Sequence, residues 1–304
     1  MEFNYDKNKK YLLACSGGPD SMALLDILRK NNFMFYVANV NYKTRKESDY
    51  EEIIVKEYCA KYNIPCFVSI YKDNAEKKSF EVKAREFRYK FFKELYDNYQ
   101  LDGVFVAHHK DDLIETYLLK KQRNVINESW IINEKSIVMD MLIIRPLLNY
   151  YKEDLLKYCN DNNLKYSIDY TNFLPIHSRN IIRENLKFQD KEKIYQEAIK
   201  EEKTLKEKQL EVQQFIKYNK QYEGKILKEK DDVFLSIFLH SIINEKYKNK
   251  VNKGLLKKLK EFINSNKPNL LEQIADNYYL LKEYDTISFK EIVNIEYSYI
   301  VNSF

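Results

Sequence analysis

The sequence predicts an α/β protein: a doubly wound parallel sheet followed by a smaller, mainly helical domain with C-terminal strands. Two observations predict the sheet. Short strand-like runs alternate with helical patterns in the first third of the chain, and these runs are apolar almost throughout. Strands covered by helices on both faces have this composition. In addition, the first run leads through a glycine turn into a helix, which places a candidate ligand loop at the carboxyl edge of the sheet.

The elements of the sheet follow from composition and spacing. Runs rich in aromatic and β-branched residues are predicted to be strands. They are Tyr11–Cys15, Phe33–Val40, Pro65–Tyr71 and Val104–Ala107. Helical patterns occupy 47–62 and 79–98. Because loops that follow parallel strands share one edge, we expect the loops after strands one, two and four to meet there.

The turn after the first strand carries the clearest chemical signal. It reads Ser16-Gly-Gly-Pro-Asp-Ser21 and runs into a helix. Its glycines let an anion approach the backbone, and the N–H groups at the start of the helix favour negative charge. Asp20 adds a carboxylate that suits Mg²⁺ beside phosphates. No Gly-Lys-Ser/Thr follows, so this is not a Walker loop. The alternative is a turn that only joins a strand to a helix.

An acidic block follows the fourth strand. It reads His108-His-Lys-Asp-Asp-Leu-Ile-Glu-Thr116. If a helix begins near Asp111, then Asp112 and Glu115 stand three residues apart on one face. Two such carboxylates can hold Mg²⁺, bind an ammonium group or act as a base. The alternative is helix capping, which we prefer for Asp111 taken alone.

These motifs resemble those of a known enzyme family. The turn is similar to the SGGxDS loop of PP-loop ATP pyrophosphatases, and the acidic block resembles the HHxDDxxET motif of tRNA(Ile)-lysidine synthetases. Other segments match that family in order: Ala84–Tyr89 (A-R-x-x-R-Y), Arg145–Leu148 (R-P-L-L), Asp169–Asn172 (D-x-[ST]-N) and Arg179–Arg183 (R-N-x-I-R). One loop departs, because the family often has H-V-N-H-G-L-R where this chain has Asn39-Val-Asn-Tyr-Lys-Thr-Arg45. The role of that loop is left open.

The resemblance implies an ATP-dependent ligase with Mg²⁺ as cofactor. Its substrates would be free L-lysine and an isoleucine tRNA with the anticodon CAU, whose cytidine 34 is adenylated and then joined to lysine, with release of AMP and pyrophosphate. Asp20 would hold Mg²⁺, Arg85 would bind phosphate or the lysine carboxylate, and Asp112 and Glu115 would bind the lysine ammonium. For Arg85 the alternative is a surface salt bridge with Glu81. ATP would contact Ser16, Gly17, Gly18, Pro19, Asp20, Ser21 and His108.

Basic residues outside the motifs are candidates for contacts with the tRNA backbone. The run 246–260 contains seven lysines and no acid, which favours RNA, although most lysine runs are solvated helix faces. The predicted tRNA-binding residues are Lys120, Arg123, Arg179, Asn180, Arg183, Lys253, Lys257 and Lys258.

The domain organisation is predicted from charge and periodicity. We expect a catalytic domain over 1–189, a charged linker helix over 190–220 and a small tRNA-binding domain over 221–304. Within the last, 221–274 is predicted to be helical and the strands to begin at Tyr278.

Composition leaves few other classes open. The net charge is +5 and 44% of the residues are hydrophobic, and the polar start and the lack of a long apolar run predict a cytoplasmic protein. Homodimer formation is left open.

Three functions compete: the ligase, another PP-loop enzyme such as a tRNA thiolase or an amide-forming synthetase, and a non-catalytic nucleotide- or RNA-binding module. The four cysteines form no C-x-x-C pair, which disfavours a thiolase.

Overall fold

The chain divides into two units. The computed structural model describes residues 1–43, 47–71, 80–123, 129–167, 182, 188–219, 221–247 and 251–292. One unit comprises Met1–Leu119 with Ile131–Ala198, and the other comprises Lys120–Trp130 with Ile199–Phe304. Among the described residues, no helix combines the length and the apolarity that a bilayer crossing requires.

A six-stranded sheet forms the centre of the first unit, with the strand order β3-β2-β1-β4-β6-β5. All neighbouring strands are parallel except β5, which pairs antiparallel with β6. The predicted fold class is therefore confirmed, and the edge hairpin β5–β6 is an addition to it. The strands are β1 Lys10–Ala14, β2 Met34–Asn41, β3 Cys66–Ile70, β4 Gly103–Val106, β5 Lys135–Val138 and β6 Met141–Ile144.

Helices cover both faces of this sheet. On β1, Leu13 packs in one apolar cluster with Leu24, while its neighbour Leu12 packs in another with Val104. This alternation explains why the strands are apolar almost throughout. The helices that begin in this unit are α1 Pro19–Lys30, α2 Glu47–Lys61, α3 Phe80–Asn98, α4 Lys110–Arg123, α5 Lys152–Asp161 and α6 Phe188–Tyr218.

The second unit combines helices with an antiparallel sheet of order β7-β10-β9-β8. Its apolar core includes residues from α8 and all four strands. The prediction that 221–274 is helical throughout is wrong at both ends, because Tyr222–Glu223 forms the short strand β7 and the next strand begins at Asn269 rather than Tyr278. The segment Asn269–Ala275 forms an edge strand whose burial alternates. The elements are β7 Tyr222–Glu223, α7 Gly224–Lys228, α8 Asp232–Lys246, α9 Lys253–Asn264, β8 Asn269–Ala275, β9 Tyr278–Glu283 and β10 Thr286–Glu291.

A buried carboxylate joins three helices of the first unit. Asp26 of α1 is 1% exposed and accepts hydrogen bonds from Tyr58 of α2 and Tyr158 of α5. Arg29 and Lys30 approach the same carboxylate at 2.8 Å. Burial alone would raise the pKa of Asp26, but these donors outweigh it and lower the pKa to about 2.

We expect Asp26→Asn to destabilise the protein by about 2 kcal/mol at neutral pH, because it removes hydrogen bonds to a charged group. The lowered pKa means that this stabilisation is complete above pH about 4 and is lost as the pH falls toward 2. Urea denaturation at several pH values measures both effects. Asp97→Asn is the control, because Asp97 forms an exposed pair with Lys93 and should change stability little. Equal losses in the two variants would contradict the assigned role of Asp26.

Candidate active site

The loop between β1 and α1 has the geometry of an anion site. Gly17 has φ +87°, and a Cβ there would lie 2.8 Å from the backbone oxygen of Glu51. Only glycine meets both conditions without strain. Gly18 is the N-cap of α1 and supplies no side-chain hydrogen bond to the helix. The N–H groups at the start of α1 therefore lack a side-chain cap, as an anion-binding helix terminus requires.

The two serines fix the shape of this loop. Ser21 Oγ donates to the Gly18 carbonyl at 3.0 Å and accepts from the Ser16 N–H at 3.2 Å. The hydroxyls of Ser16 and Ser21 also lie 3.2 Å apart. Asn39 at the end of β2 donates to the Cys15 carbonyl at 2.8 Å. These hydrogen bonds therefore hold the loop in one conformation.

His109 connects this loop to the acidic block. Its ring is 3% exposed, and its Nε2 lies 3.7 Å from Asp20 Oδ2 and 3.5 Å from Asp112 Oδ2. Its Nδ1 lies 3.4 Å from Asp111 Oδ2. Burial acts to lower the pKa of His109, but the three carboxylates outweigh it and raise the pKa. The structure thus brings Asp20 and Asp112 to one buried imidazole.

Lysines approach two of the acids that surround His109. Lys191 of α6 binds Asp111 at 2.5 Å, and the backbone N–H of Lys152 donates to the same carboxylate at 2.9 Å. The Lys152 ammonium lies 3.9 Å from Asp20. Burial would raise the pKa of Asp111, but His109 and Lys191 lower it. The preferred capping role does not belong to Asp111: it is Asp112 that accepts the N–H of His109, at 3.0 Å.

A second histidine and several arginines lie at the same edge of the sheet. Arg145, directly after β6, donates through Nε to His108 Nδ1 at 3.1 Å. The Arg85 guanidinium lies 4.8 Å from the centre of the Tyr89 ring. Burial and the positive charge of Arg85 lower the pKa of Arg145. Arg85 and Arg145 thus lie close enough for their positive charges to interact.

The remaining predicted site residues are placed as follows. Glu115 lies on α4, one turn beyond Asp112, and is 2% exposed. Lys120, Arg123, Lys253, Lys257 and Lys258 belong to the second unit. Outside the described residues lie Arg45, the side chain of Glu81, the segment Asp169–Asn172, Arg179, Asn180 and Arg183.

Comparison with known proteins places the chain in a family. A family model described as a PP-loop domain matches residues 2–189. The tRNA(Ile)-lysidine synthase of Mycoplasmopsis pulmonis is 35% identical over 294 residues, which cover 93% of this chain and 98% of that protein. The chain belongs to the tRNA(Ile)-lysidine synthase family. The resemblance inferred from the motifs is confirmed.

Two other relatives match a smaller share of the chain. The tRNA(Ile)-lysidine synthase of Malacoplasma penetrans is 40% identical over 187 residues, and that of Ureaplasma parvum is 37% identical over 185 residues. These matches cover 60% and 59% of this chain. The chain spans 63% and 55% of the length of these two relatives.

The donor set suits Mg²⁺ held mainly by a nucleotide. The described part of the chain contains no group of three His, Cys, Asp or Glu side chains arranged to hold a metal ion. Mg²⁺ commonly binds through one or two carboxylates together with substrate phosphates. Asp20, in the first turn of α1 and beside the anion loop, fits that arrangement.

The cysteines give little support to sulfur transfer. Cys15 and Cys159 are buried, and burial raises the pKa of their thiols to about 11 and about 12. A hydrogen bond with Cys59 lowers the pKa of the half-buried Cys66. The spacing of the cysteines in the sequence does not predict this contact. A reactive thiol needs exposure as well as a low pKa, and Cys59 itself is 1% exposed.

Sequence reasoning missed several residues of this candidate site. Lys152 and Lys191 carry no motif, and they reach the acidic block from α5 and α6. Arg145 was visible in the R-P-L-L segment, but its partner His108 is 37 positions away. His109 was part of the recognised block without an assigned role. The signal that could have found Arg145 is its position at the carboxyl end of a strand.

Proposed function

We propose that this chain is a tRNA(Ile)-lysidine synthase. It would join L-lysine to C2 of cytidine 34 in the CAU anticodon of an isoleucine tRNA, through an adenylated base, with release of AMP and pyrophosphate. The observation that carries this proposal is His109, whose ring lies 3.7 Å from Asp20 of the anion loop and 3.5 Å from Asp112 of the acidic block. The proposed phosphate and ammonium sites would thereby share one edge of the sheet.

In the first step, the C2 carbonyl oxygen of the base attacks the α-phosphate of ATP and pyrophosphate leaves. The loop Ser16–Ser21 would bind the phosphates through its N–H groups and hydroxyls. Arg85 would neutralise negative charge that develops on the phosphate, because its fork suits planar and tetrahedral anions. Mg²⁺, held through Asp20, supplies further charge stabilisation when it is bound.

In the second step, the ε-amine of lysine attacks C2 and AMP leaves. Lysine arrives as an ammonium ion, so it needs a negatively charged site and the loss of a proton before it can attack. Asp112 and Glu115 on adjacent turns of α4 would supply that charge. Asp111 already forms an ion pair with Lys191 at 2.5 Å. We therefore do not assign Asp111 to the substrate lysine.

The tRNA would be held outside the reaction site as well, because the target base has to leave the anticodon stack. We propose a catalytic domain over 1–189, a linker helix over 190–220 and a tRNA-binding domain over 221–304. The candidate lysines of α9 differ in their neighbours. Lys258 binds Glu272 at 2.5 Å, and Lys253 donates to the Arg123 carbonyl at 2.7 Å. Lys257 is 81% exposed and 3.9 Å from Glu261.

These differences predict which lysine contributes most to tRNA binding. Lys257→Gln is expected to weaken binding and to reduce the slope of log affinity against log salt by about 0.8, because one phosphate contact and its counterion release are lost. Lys260→Gln is the matched control, since Lys260 is 16% exposed and binds Asp232 at 2.6 Å. Titration of tRNA at several salt concentrations measures both slopes. Equal slopes in wild type and Lys257→Gln would place the tRNA surface elsewhere.

The function itself is tested by product analysis. The protein is incubated with ATP, L-lysine and a CAU-anticodon isoleucine tRNA, and the nucleosides are analysed by mass spectrometry. We expect a cytidine whose mass has increased by that of lysine minus one water, because the C2 oxygen leaves with AMP, together with AMP and pyrophosphate. ADP as the main product would refute the PP-loop chemistry. If a sulfur-containing nucleoside forms when a sulfur donor is supplied, the proposed function is a thiolase and not a ligase.

A further inference from the structure

The contacts of Arg145 determine the state of His108. Arg145 is 8% exposed and uses three hydrogen bonds. Its Nε donates to His108 Nδ1 at 3.1 Å, and its Nη1 donates to the Asn133 carbonyl at 2.9 Å and to Ser136 Oγ at 3.0 Å. The segment that leads into β5 thus holds the guanidinium in place, and the guanidinium in turn holds the imidazole.

Because arginine can only donate, the hydrogen bond from Arg145 fixes the protonation state and the tautomer of the His108 imidazole. Guanidinium has no acceptor and keeps its protons at any ordinary pH. His108 Nδ1 must therefore accept, so the ring is neutral and its proton is on Nε2. Burial is the largest cause that lowers the pKa of His108 to about 4. Asp112 opposes this, and the charges of Arg145, His109 and Arg88 add to it.

The position of His108 indicates what this donor serves. His108 follows β4 at the carboxyl edge and precedes His109, whose ring lies 3.7 Å from Asp20 of the anion loop. The pKa values of the two neighbouring histidines shift in opposite directions: burial next to arginines lowers that of His108, whereas three carboxylates raise that of His109. A neutral N–H donor that does not change with pH suits a phosphate oxygen, which always accepts.

We propose that Arg145 is a positioning residue that holds His108 as a neutral, Nε2-protonated hydrogen-bond donor to a phosphate oxygen of ATP. This inference rests on the proposed function only in taking ATP as the ligand. It assigns a role to the hairpin β5–β6, which places Arg145 and supplies Ser136. Arg145 itself acts through His108 and not by contact with the nucleotide.

Imidazole spectroscopy tests the first half of the proposal. The full chain is labelled with ¹⁵N in its histidine rings, and four histidines in the sequence make the spectrum assignable with His108→Gln. In the wild type we expect an unprotonated Nδ1, a protonated Nε2 and no titration until the pH approaches about 4. In Arg145→Met the ring should titrate at higher pH and exchange between tautomers. A wild-type spectrum in that variant overturns the proposal.

ATP binding without tRNA or lysine tests the second half. His108→Ala and Arg145→Met should each weaken binding about tenfold, as expected for one lost hydrogen bond to a charged group. Because Arg145 acts through His108, the double variant should bind ATP about as weakly as His108→Ala alone. Arg145→Lys keeps the charge, but its N–H donors all lie on one nitrogen and cannot replace the separate Nε and Nη1 of Arg145, so it should show the same loss. Additive losses, or wild-type affinity in Arg145→Lys, overturn the proposal.

A control variant separates this role from bracing of the hairpin. Tyr5 donates to Glu134 at 2.7 Å, so Tyr5→Phe loosens the same hairpin without touching Arg145, and it should leave ATP affinity and the His108 tautomer unchanged. Equal losses in Tyr5→Phe would assign Arg145 to the fold and reject the inference. Normal ATP binding without lysidine formation in the wild type would reject the proposed function and leave this inference standing.

Discussion

Asp20→Asn is expected to reduce the formation of AMP and pyrophosphate by about 10³-fold, the loss that follows when several kcal/mol of charge stabilisation disappear. The structure gives the reason. Asp20 lies in the first turn of α1 beside the anion loop, with His109 at 3.7 Å and Lys152 at 3.9 Å. Asparagine keeps the shape but removes the negative charge that would hold Mg²⁺ and that faces His109 and Lys152.

Pyrophosphate release with all substrates present measures this effect. The matched control is Asp102→Asn at the opposite, amino-terminal edge of the sheet. Asp102 accepts from the Lys10 N–H at 2.9 Å and lies 4.0 Å from Lys9, so its charge is remote from the anion loop. Turnover in Asp102→Asn should match the wild type. Wild-type turnover in Asp20→Asn would contradict the role of Asp20 in the active site, whatever product is formed.

The central fold could be predicted because its signals are local. Each of the strands β1 to β4 is a continuous apolar run with a breaker or helix signal beside it, and each was located to within about two residues, which is good for element boundaries. The anion loop is a contiguous motif. The fold class and the position of this loop therefore needed no knowledge of distant contacts.

The hairpin β5–β6 escaped prediction because its turn lacks the usual signal. Met139 and Asp140 have φ of 49° and 62°, which is the conformation that two-residue hairpins favour and that Asn-Gly normally marks. The edge strand β8 was missed for a related reason. Its first residues alternate between exposed and half-buried, and such short patterns are easily assigned to a neighbouring helix.

The electrostatics of the site could not be predicted, because they depend on contacts between distant residues. Lys191 and Asp111 are far apart in sequence and meet at 2.5 Å. The sequence alone shows two adjacent aspartates, Asp111 and Asp112, and cannot tell their roles apart. The structure separates their roles, since Asp111 binds Lys191 while Asp112 caps α4 and faces His109. Only the packing of α6 and α5 against α4 reveals that Asp111 is the carboxylate that binds Lys191.

That separation leads to the second large effect, which concerns lysine. Glu115→Gln is expected to raise the lysine concentration needed for half-maximal rate about 100-fold, because loss of a buried charge partner costs a few kcal/mol. Lysine-independent adenylation of the tRNA should persist, since Glu115 lies a turn beyond the residues that meet the anion loop. Asp112→Asn should impair both steps, because Asp112 also lies 3.5 Å from the His109 ring.

Lysine saturation curves, compared with pyrophosphate release in the absence of lysine, distinguish the two variants. Glu94→Gln on the exposed face of α3 is the control for the same chemical change, and its lysine dependence should equal that of the wild type. The expected pattern is selective: Glu115→Gln affects the lysine step, Asp112→Asn affects both, and Glu94→Gln affects neither. Wild-type lysine saturation in both α4 variants would mean that the ammonium binds elsewhere. The carboxylates of α4 would then serve to hold His109 and the helix rather than the substrate.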